Sequence, residues 1–134
     1  MALSEPYSTA LLDRFNTPRF SGSLDAAQVG VISAQVGTPA QGAVVRLQLQ
    51  LGDNRQVALA RFQAYGDPVT IAVADWLCEH LQGQPLATAR QLDHRQAIDD
   101  LQIPALKIRN AVLAETALRK LLSELNNSRC PASV

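Results

Sequence analysis

The segment 44-VVRLQLQL-51 limits the possible folds of this chain more than any other stretch. Val45, Leu47, Leu49 and Leu51 alternate with Arg46, Gln48 and Gln50, the period of a strand with one apolar and one polar face. A second run, 55-RQVALARFQAY-65, follows 52-GDN-54, whose Gly and Asn suit a tight reversal. There the alternation expects Val57, Leu59 and Arg61 on one side and Ala58, Ala60 and Phe62 on the other. Two such runs around a three-residue loop predict a bulged antiparallel hairpin. A further strand is expected at 29-VGVISAQV-36.

Outside the strands the apolar spacing changes. Residues 6–15 read as a short helix that Ser8 can cap, and 16–30 read as an irregular connection rich in Gly, Pro, Asn and Ser. After Tyr65-Gly66, Asp67 suits an N-cap and Pro68 the first turn of a helix over 69–81, which Gly83 ends. A short helical piece is expected near 85–92, and Asp93 can cap a helix over 94–101. Residues 102–108 read as a linker because Pro104 restrains its predecessor. The last helix spans 109–125, with an apolar face of Val112, Leu113, Leu118, Leu121, Leu122 and Leu125. Residues 126–134 are expected to be a loose tail. The order implies one α+β domain over 1–134: a three-stranded antiparallel sheet with helices packed on one face.

Composition excludes some functions. The chain carries 12 basic and 12 acidic residues, so charge makes no case for a nucleic-acid partner. No run of about 18 apolar residues exists to span a membrane. The N-terminal MALSEPYSTALLDRF lacks the basic start and long apolar core of a signal peptide. A cytoplasmic protein is the expectation.

Candidate chemistry is sparse. Cys78, Cys130, His80 and His94 are the possible soft ligands, and none forms a Cys-x-x-Cys pair. Cys78 reads as a packed core residue, and Cys130 falls in the expected tail. His94 reads as a first-turn surface residue. Asp99 and Asp100 are adjacent and expected to be solvated. Gly37 and Gly42 lack the Lys-Ser or Lys-Thr of a phosphate loop. No nucleophile–base arrangement announces itself, so no catalytic residue is assigned and an enzyme is not expected. The loop 37-GTPAQG-42 is built like a site, yet its tip is Gln41, and Ala43 follows.

Four segments together resemble the IscU/NifU N-terminal family of iron–sulfur cluster assembly scaffolds. The stretch 7-YSTALLDRFNTPRFSGSLD-25 is similar to its Tyr-Ser … Asn-Pro-Arg … Gly opening. The loop and strand 39-PAQGAVVRLQLQL-51 are similar to its Pro-Ala-Cys-Gly-Asp loop. The stretch 61-RFQAYGDPVTIA-72 is similar to its Arg-Phe … Tyr-Gly-Cys-Gly segment. The stretch 103-IPALKIRNAVLAETALRKLL-122 is similar to its Leu-Pro-Pro-Val-Lys … His-Cys … Leu-Ala-Glu segment. In that family three cysteines carry the nascent cluster. Thiolates are soft and nucleophilic, which suits both iron and persulfide sulfur. By the resemblance those cysteines are replaced here by Gln41, Asp67 and Asn110. The family's aspartate becomes Ala43, and its histidine becomes Arg109. The family fold implies that these corners meet, with Arg109 placed to pair with Asp67.

The resemblance also implies partners. Residues Ile103, Pro104, Ala105, Leu106 and Lys107 stand where a specialised Hsp70 chaperone reads the family. The N-terminal segment and the loops near Gly37 and Gly66 stand where a cysteine desulfurase docks. The leading expectation is a degenerate scaffold relative without cofactor or metal site. It would act as an accessory or regulatory module toward a desulfurase, a genuine scaffold or the chaperone. The alternatives are a scaffold or iron-binding protein with unusual ligands, and a binding module repurposed outside iron–sulfur metabolism.

Overall fold

The computed structural model describes residues 7–132; the side chains of Asn54 and of residues 126–132 lie outside the description. Strands β1 (Val31–Thr38), β2 (Ala43–Leu51) and β3 (Val57–Tyr65) form an antiparallel sheet in the order β1-β2-β3. The helices are α1 (Thr9–Asn16), α2 (Pro68–Leu81), α3 (Leu86–Ala89), α4 (His94–Leu101) and α5 (Ile108–Ala132). Val45, Leu47 and Leu49 of β2 and Ala60 and Phe62 of β3 turn inward, where α2 and α5 cover them.

The hairpin forms, with two differences from the expected one. Its loop is 52–56 rather than 52–54, and Arg55 takes a left-handed conformation with φ 59. The register also shifts: Leu59 faces Gln50, whereas Val57 faces Leu51. Ala58 is thus the extra residue of a bulge, and Val57 joins Ala60 and Phe62 in the core instead of opposing them. The first strand starts at Val31 and runs through Thr38, two residues later at each end than expected.

Part of the outer face of the sheet is covered by chain that is not helical, while Ser33, Gln35 and Gln63 stay exposed. Phe62 N–H donates to the Phe20 carbonyl at 3.0 Å, and Gly22 N–H donates to the Phe62 carbonyl at 2.9 Å, closing the free edge of β3. The chain then crosses over Gln48. That side chain, expected on a polar face, is buried, and its Oε1 accepts from Leu24 N–H at 2.7 Å. A strand glutamine can be buried because the overlying backbone satisfies its amide. On the helical side, buried Asp75 of α2 anchors the start of this connection. It accepts from Arg19 N–H at 2.8 Å, Phe20 N–H at 2.9 Å and Arg14 Nη1 at 3.0 Å.

Helix α2 starts where Asp67 accepts from Thr70 N–H at 3.0 Å and Pro68 fills the first turn. It is buried nearly all round, from Val69 and Thr70 through Cys78 to Leu81. Helix α5 packs mainly through Ala111, Ala114, Ala117, Leu118, Leu121 and Leu122. Val112, Leu113 and Leu125, expected on that face, are only half-buried. Alanines make the seam because small side chains let α5 approach the sheet and α2 closely. The helix continues to Ala132, past the expected end at Leu125 and into the segment read as a tail. No helix among the described residues is long and apolar enough to cross a membrane.

Candidate functional site

Three corners of the fold meet beyond one end of the sheet. The first is the turn after β1. Thr38 Oγ1 accepts from Gln41 N–H at 3.2 Å, and Gly42 closes the turn with φ 87. Gly37 brackets it from the other side: with φ 86, a Cβ there would sit 2.2 Å from the Ala43 carbonyl oxygen, so only glycine fits. The second corner is Gly66-Asp67, between β3 and α2. A Cβ on Gly66 would come within 3.3 Å of the Ala43 Cβ and 3.1 Å of Thr70, so these two corners abut. The third is Ile103–Lys107 and the first turn of α5. A short 3-10 turn, Ala105–Lys107, leads directly into that helix.

A chain of polar contacts joins the second and third corners. Asp67 Oδ1, besides capping α2, accepts from Thr70 Oγ1 at 3.1 Å. That hydroxyl in turn accepts from Asn110 Nδ2 at 3.2 Å. The other carboxylate oxygen, Oδ2, lies 3.1 Å from Lys107 Nζ. Asp67 thus has an ion-pair partner, but it is Lys107 and not the expected Arg109. Arg109 is exposed and turns toward the first corner. There Gln41, Gly42, Ala43, Arg109, Asn110 and Leu113 line an open cleft of about 530 Å³. Four of the five expected positions, Gln41, Ala43, Arg109 and Asn110, line this cleft, and Asp67 is tied to Asn110 through Thr70 and separately paired with Lys107. Neither of these two connecting residues was singled out for that role; Thr70's place three residues after the Asp67 cap is the signal that points to it. The side chains at the cleft are two carboxamides, a guanidinium and apolar groups, with no thiol and no acid.

A family model described as the NifU-like N-terminal domain matches residues 6–130. The chain belongs to that family. The iron–sulfur cluster assembly scaffold protein IscU of Haemophilus influenzae is 32% identical over 118 residues, covering 88% of this chain and 94% of the relative. IscU of Escherichia coli K12 is 32% identical over 123 residues, covering 92% and 96%. Solved structures share the fold. One, described as a cluster assembly scaffold protein for the SUF system of Fervidobacterium islandicum, superposes with a TM-score of 0.67 at 14% identity, covering 87% of this chain and 96% of its own. A NifU-like N-terminal protein from Brucella abortus gives 0.65 at 14% identity, covering 90% and 94%. The family assignment accords with the expectation that this chain is not an enzyme, and the three-stranded sheet with helices on one face is the NifU-like fold.

The other reactive side chains of this NifU-like chain lie away from the cleft or are engaged. Cys78 is fully buried in α2. Burial pushes its thiol well above the ordinary value; the nearby Asp75 charge adds to that and Arg61 only partly opposes it. Such a thiol is a poor nucleophile and a poor ligand. His80 lies against Trp76, with ring centroids 4.3 Å apart and Nδ1 2.9 Å from the Trp76 carbonyl oxygen. His94, expected to be a simple surface residue, is half-buried and donates from Nδ1 to Glu115 Oε1 at 2.7 Å. Asp100, expected to be only solvated, accepts from Trp76 Nε1 at 2.7 Å, while Asp99 is exposed. The Cys130 side chain lies outside the described residues. No group of three or more His, Cys, Asp and Glu side chains able to hold a metal occurs among the described residues. In the segment 103–107, Ile103 is buried, Ala105 is exposed and Leu106 is 94% exposed.

Proposed function

We propose that this chain is a degenerate scaffold relative. It acts in the cytoplasm as an accessory, protein-binding module of iron–sulfur cluster assembly and does not itself assemble a cluster. The observation that carries the reading is the latch at the loop tips. Where the resemblance puts three cysteines, Gln41 offers an exposed amide, and Asn110 and Asp67 are bonded to Thr70 and Lys107. Carboxamides are poor ligands for iron–sulfur clusters, which favour thiolates. The one carboxylate already caps a helix and neutralises a lysine. A cluster as cargo does not fit this donor set.

The same latch supports the protein-binding half of the reading. It joins the α2 corner to the segment carrying Leu106 through the Asp67–Lys107 ion pair. Leu106, 94% exposed, lies in the segment where the resemblance puts the chaperone contact. The partners in view are a cysteine desulfurase, a genuine scaffold and a specialised Hsp70 chaperone. Occupying any of them would let this chain compete with an active scaffold.

The test is anaerobic purification with iron, zinc and sulfide quantitation, before and after reconstitution with a cysteine desulfurase. The combined variant Gln41→Cys, Asp67→Cys, Asn110→Cys serves as the comparison. The native chain is expected to stay colourless while still retaining at least one of the three partners in a pull-down. Stoichiometric iron and sulfide with charge-transfer absorption in the native chain would overturn the first half. Failure to retain any of the partners would overturn the second.

A further inference from the structure

The cleft beside Gln41 holds a cation with no counter-charge. Arg109 is exposed and makes no hydrogen bond or ion pair with any described residue. None of the six residues lining the cleft is acidic. Asp67, the acid of the adjoining corner, has one oxygen on Thr70 and the other on Lys107. Gln41 is likewise exposed, and its side-chain amide makes no hydrogen bond with any described residue. Ala43 and half-buried Leu113 supply the apolar part of the lining. The volume, about 530 Å³, is that of a small-molecule site, for which roughly 300–1,000 Å³ is usual.

We propose that this cleft binds a small organic carboxylate. The carboxylate sits on the Arg109 guanidinium with the Gln41 amide as a second donor, and the hydrocarbon part lies against Ala43 and Leu113. A guanidinium presents two parallel N–H groups at the spacing of the two carboxylate oxygens, so the pair is bidentate and charge-assisted. A single unpaired cation matches a single negative charge. Inorganic phosphate, carrying more charge and no apolar part, would find no second free cation among the lining residues and nothing to place against Leu113. The lysine nearest in sequence, Lys107, already pairs with Asp67. The inference is independent of the cluster and partner reading, since it uses only side chains of this cleft.

Titration of the full chain followed by amide nitrogen–proton NMR tests it, with acetate, butyrate and inorganic phosphate as probes. Butyrate is expected to shift the side-chain amide signals of Gln41 and Asn110 saturably, with a dissociation constant on the order of 1–10 mM for so small a ligand. Acetate should bind more weakly, by up to about fourfold for each methylene it lacks. Arg109→Gln, at an exposed position, should weaken butyrate at least tenfold, and Arg95→Gln, remote on α4, should leave it unchanged. Three results would each overturn the proposal: no saturable shift with butyrate, phosphate binding at least as tight as butyrate, or butyrate binding unaffected by Arg109→Gln.

Discussion

Asp67 is the position where this chain's departure from a cysteine site can be weighed energetically. Asp67→Ala removes three things at once. It takes away an N-cap, worth about 1 kcal/mol. It takes away the ion pair with Lys107, whose side chains are 31% and 24% exposed for Lys107 and Asp67; such a half-screened pair is worth about 0.5 kcal/mol. It also leaves the fully buried Thr70 hydroxyl without its acceptor, at a cost of about 1 kcal/mol. The expected loss is therefore about 2–3 kcal/mol, a sizeable part of the ~5–15 kcal/mol that holds a domain together. For a chain of 134 residues that corresponds to a melting point lower by roughly 10 °C. Asp67→Asn keeps the cap, since asparagine caps as well as aspartate, and should lose only about 0.5 kcal/mol. Asp67→Cys restores the thiol that the resemblance puts here, yet it should cost nearly as much as Asp67→Ala, because a thiol is a weak acceptor. Urea unfolding read by far-ultraviolet circular dichroism measures all three. Equal losses for Asp67→Asn and Asp67→Ala would refute the cap-dominated account. A loss below about 0.5 kcal/mol for Asp67→Ala would refute the latch altogether.

Other perturbations test the frame around the site. Burial raises the Glu115 carboxyl, but hydrogen bonds from the His94 ring and backbone and the charge of Arg119 outweigh it, so the group titrates below the usual glutamate value of 4.5. A depressed folded value means stability that is present above pH 4.5 and lost as pH falls through the lower folded value; Glu115→Gln should flatten that part of the acid unfolding curve. In a Cys130→Ser background, Cys78 should resist a thiol-specific disulfide reagent in the native state and react once urea unfolds the chain; rapid stoichiometric labelling of the folded protein would contradict its burial. Asp75→Ala leaves two backbone N–H groups without their acceptor and Arg14 with Glu79 as its remaining ion-pair partner, and should cost about 2–4 kcal/mol in urea unfolding, with Arg14→Ala costing clearly less.

The sequence by itself determined the elements. The alternation in 44–51 placed β2 and its inward Val45, Leu47 and Leu49, and Asp67-Pro68 placed the start of α2. These signals are legible because strand period and helix caps act within a few residues of chain. The replacement of soft ligands at Gln41, Asp67 and Asn110 came from no such local signal; it is what the family resemblance implies. Tertiary structure decided the partners. Asn110 meets Thr70 across 40 residues of chain, and Lys107 rather than Arg109 reaches Asp67, because the direction of the 3-10 turn before α5 sets which cation faces inward. The same holds for Gln48, polar by pattern yet buried under Leu24, and for the alanine seam of α5, where closeness of approach outweighs side-chain size. One-dimensional spacing says which way a side chain leaves its own element. Only the packed fold says what stands opposite, and it is there that the 37–42 loop becomes one wall of a cleft lined by two carboxamides, a guanidinium and apolar groups.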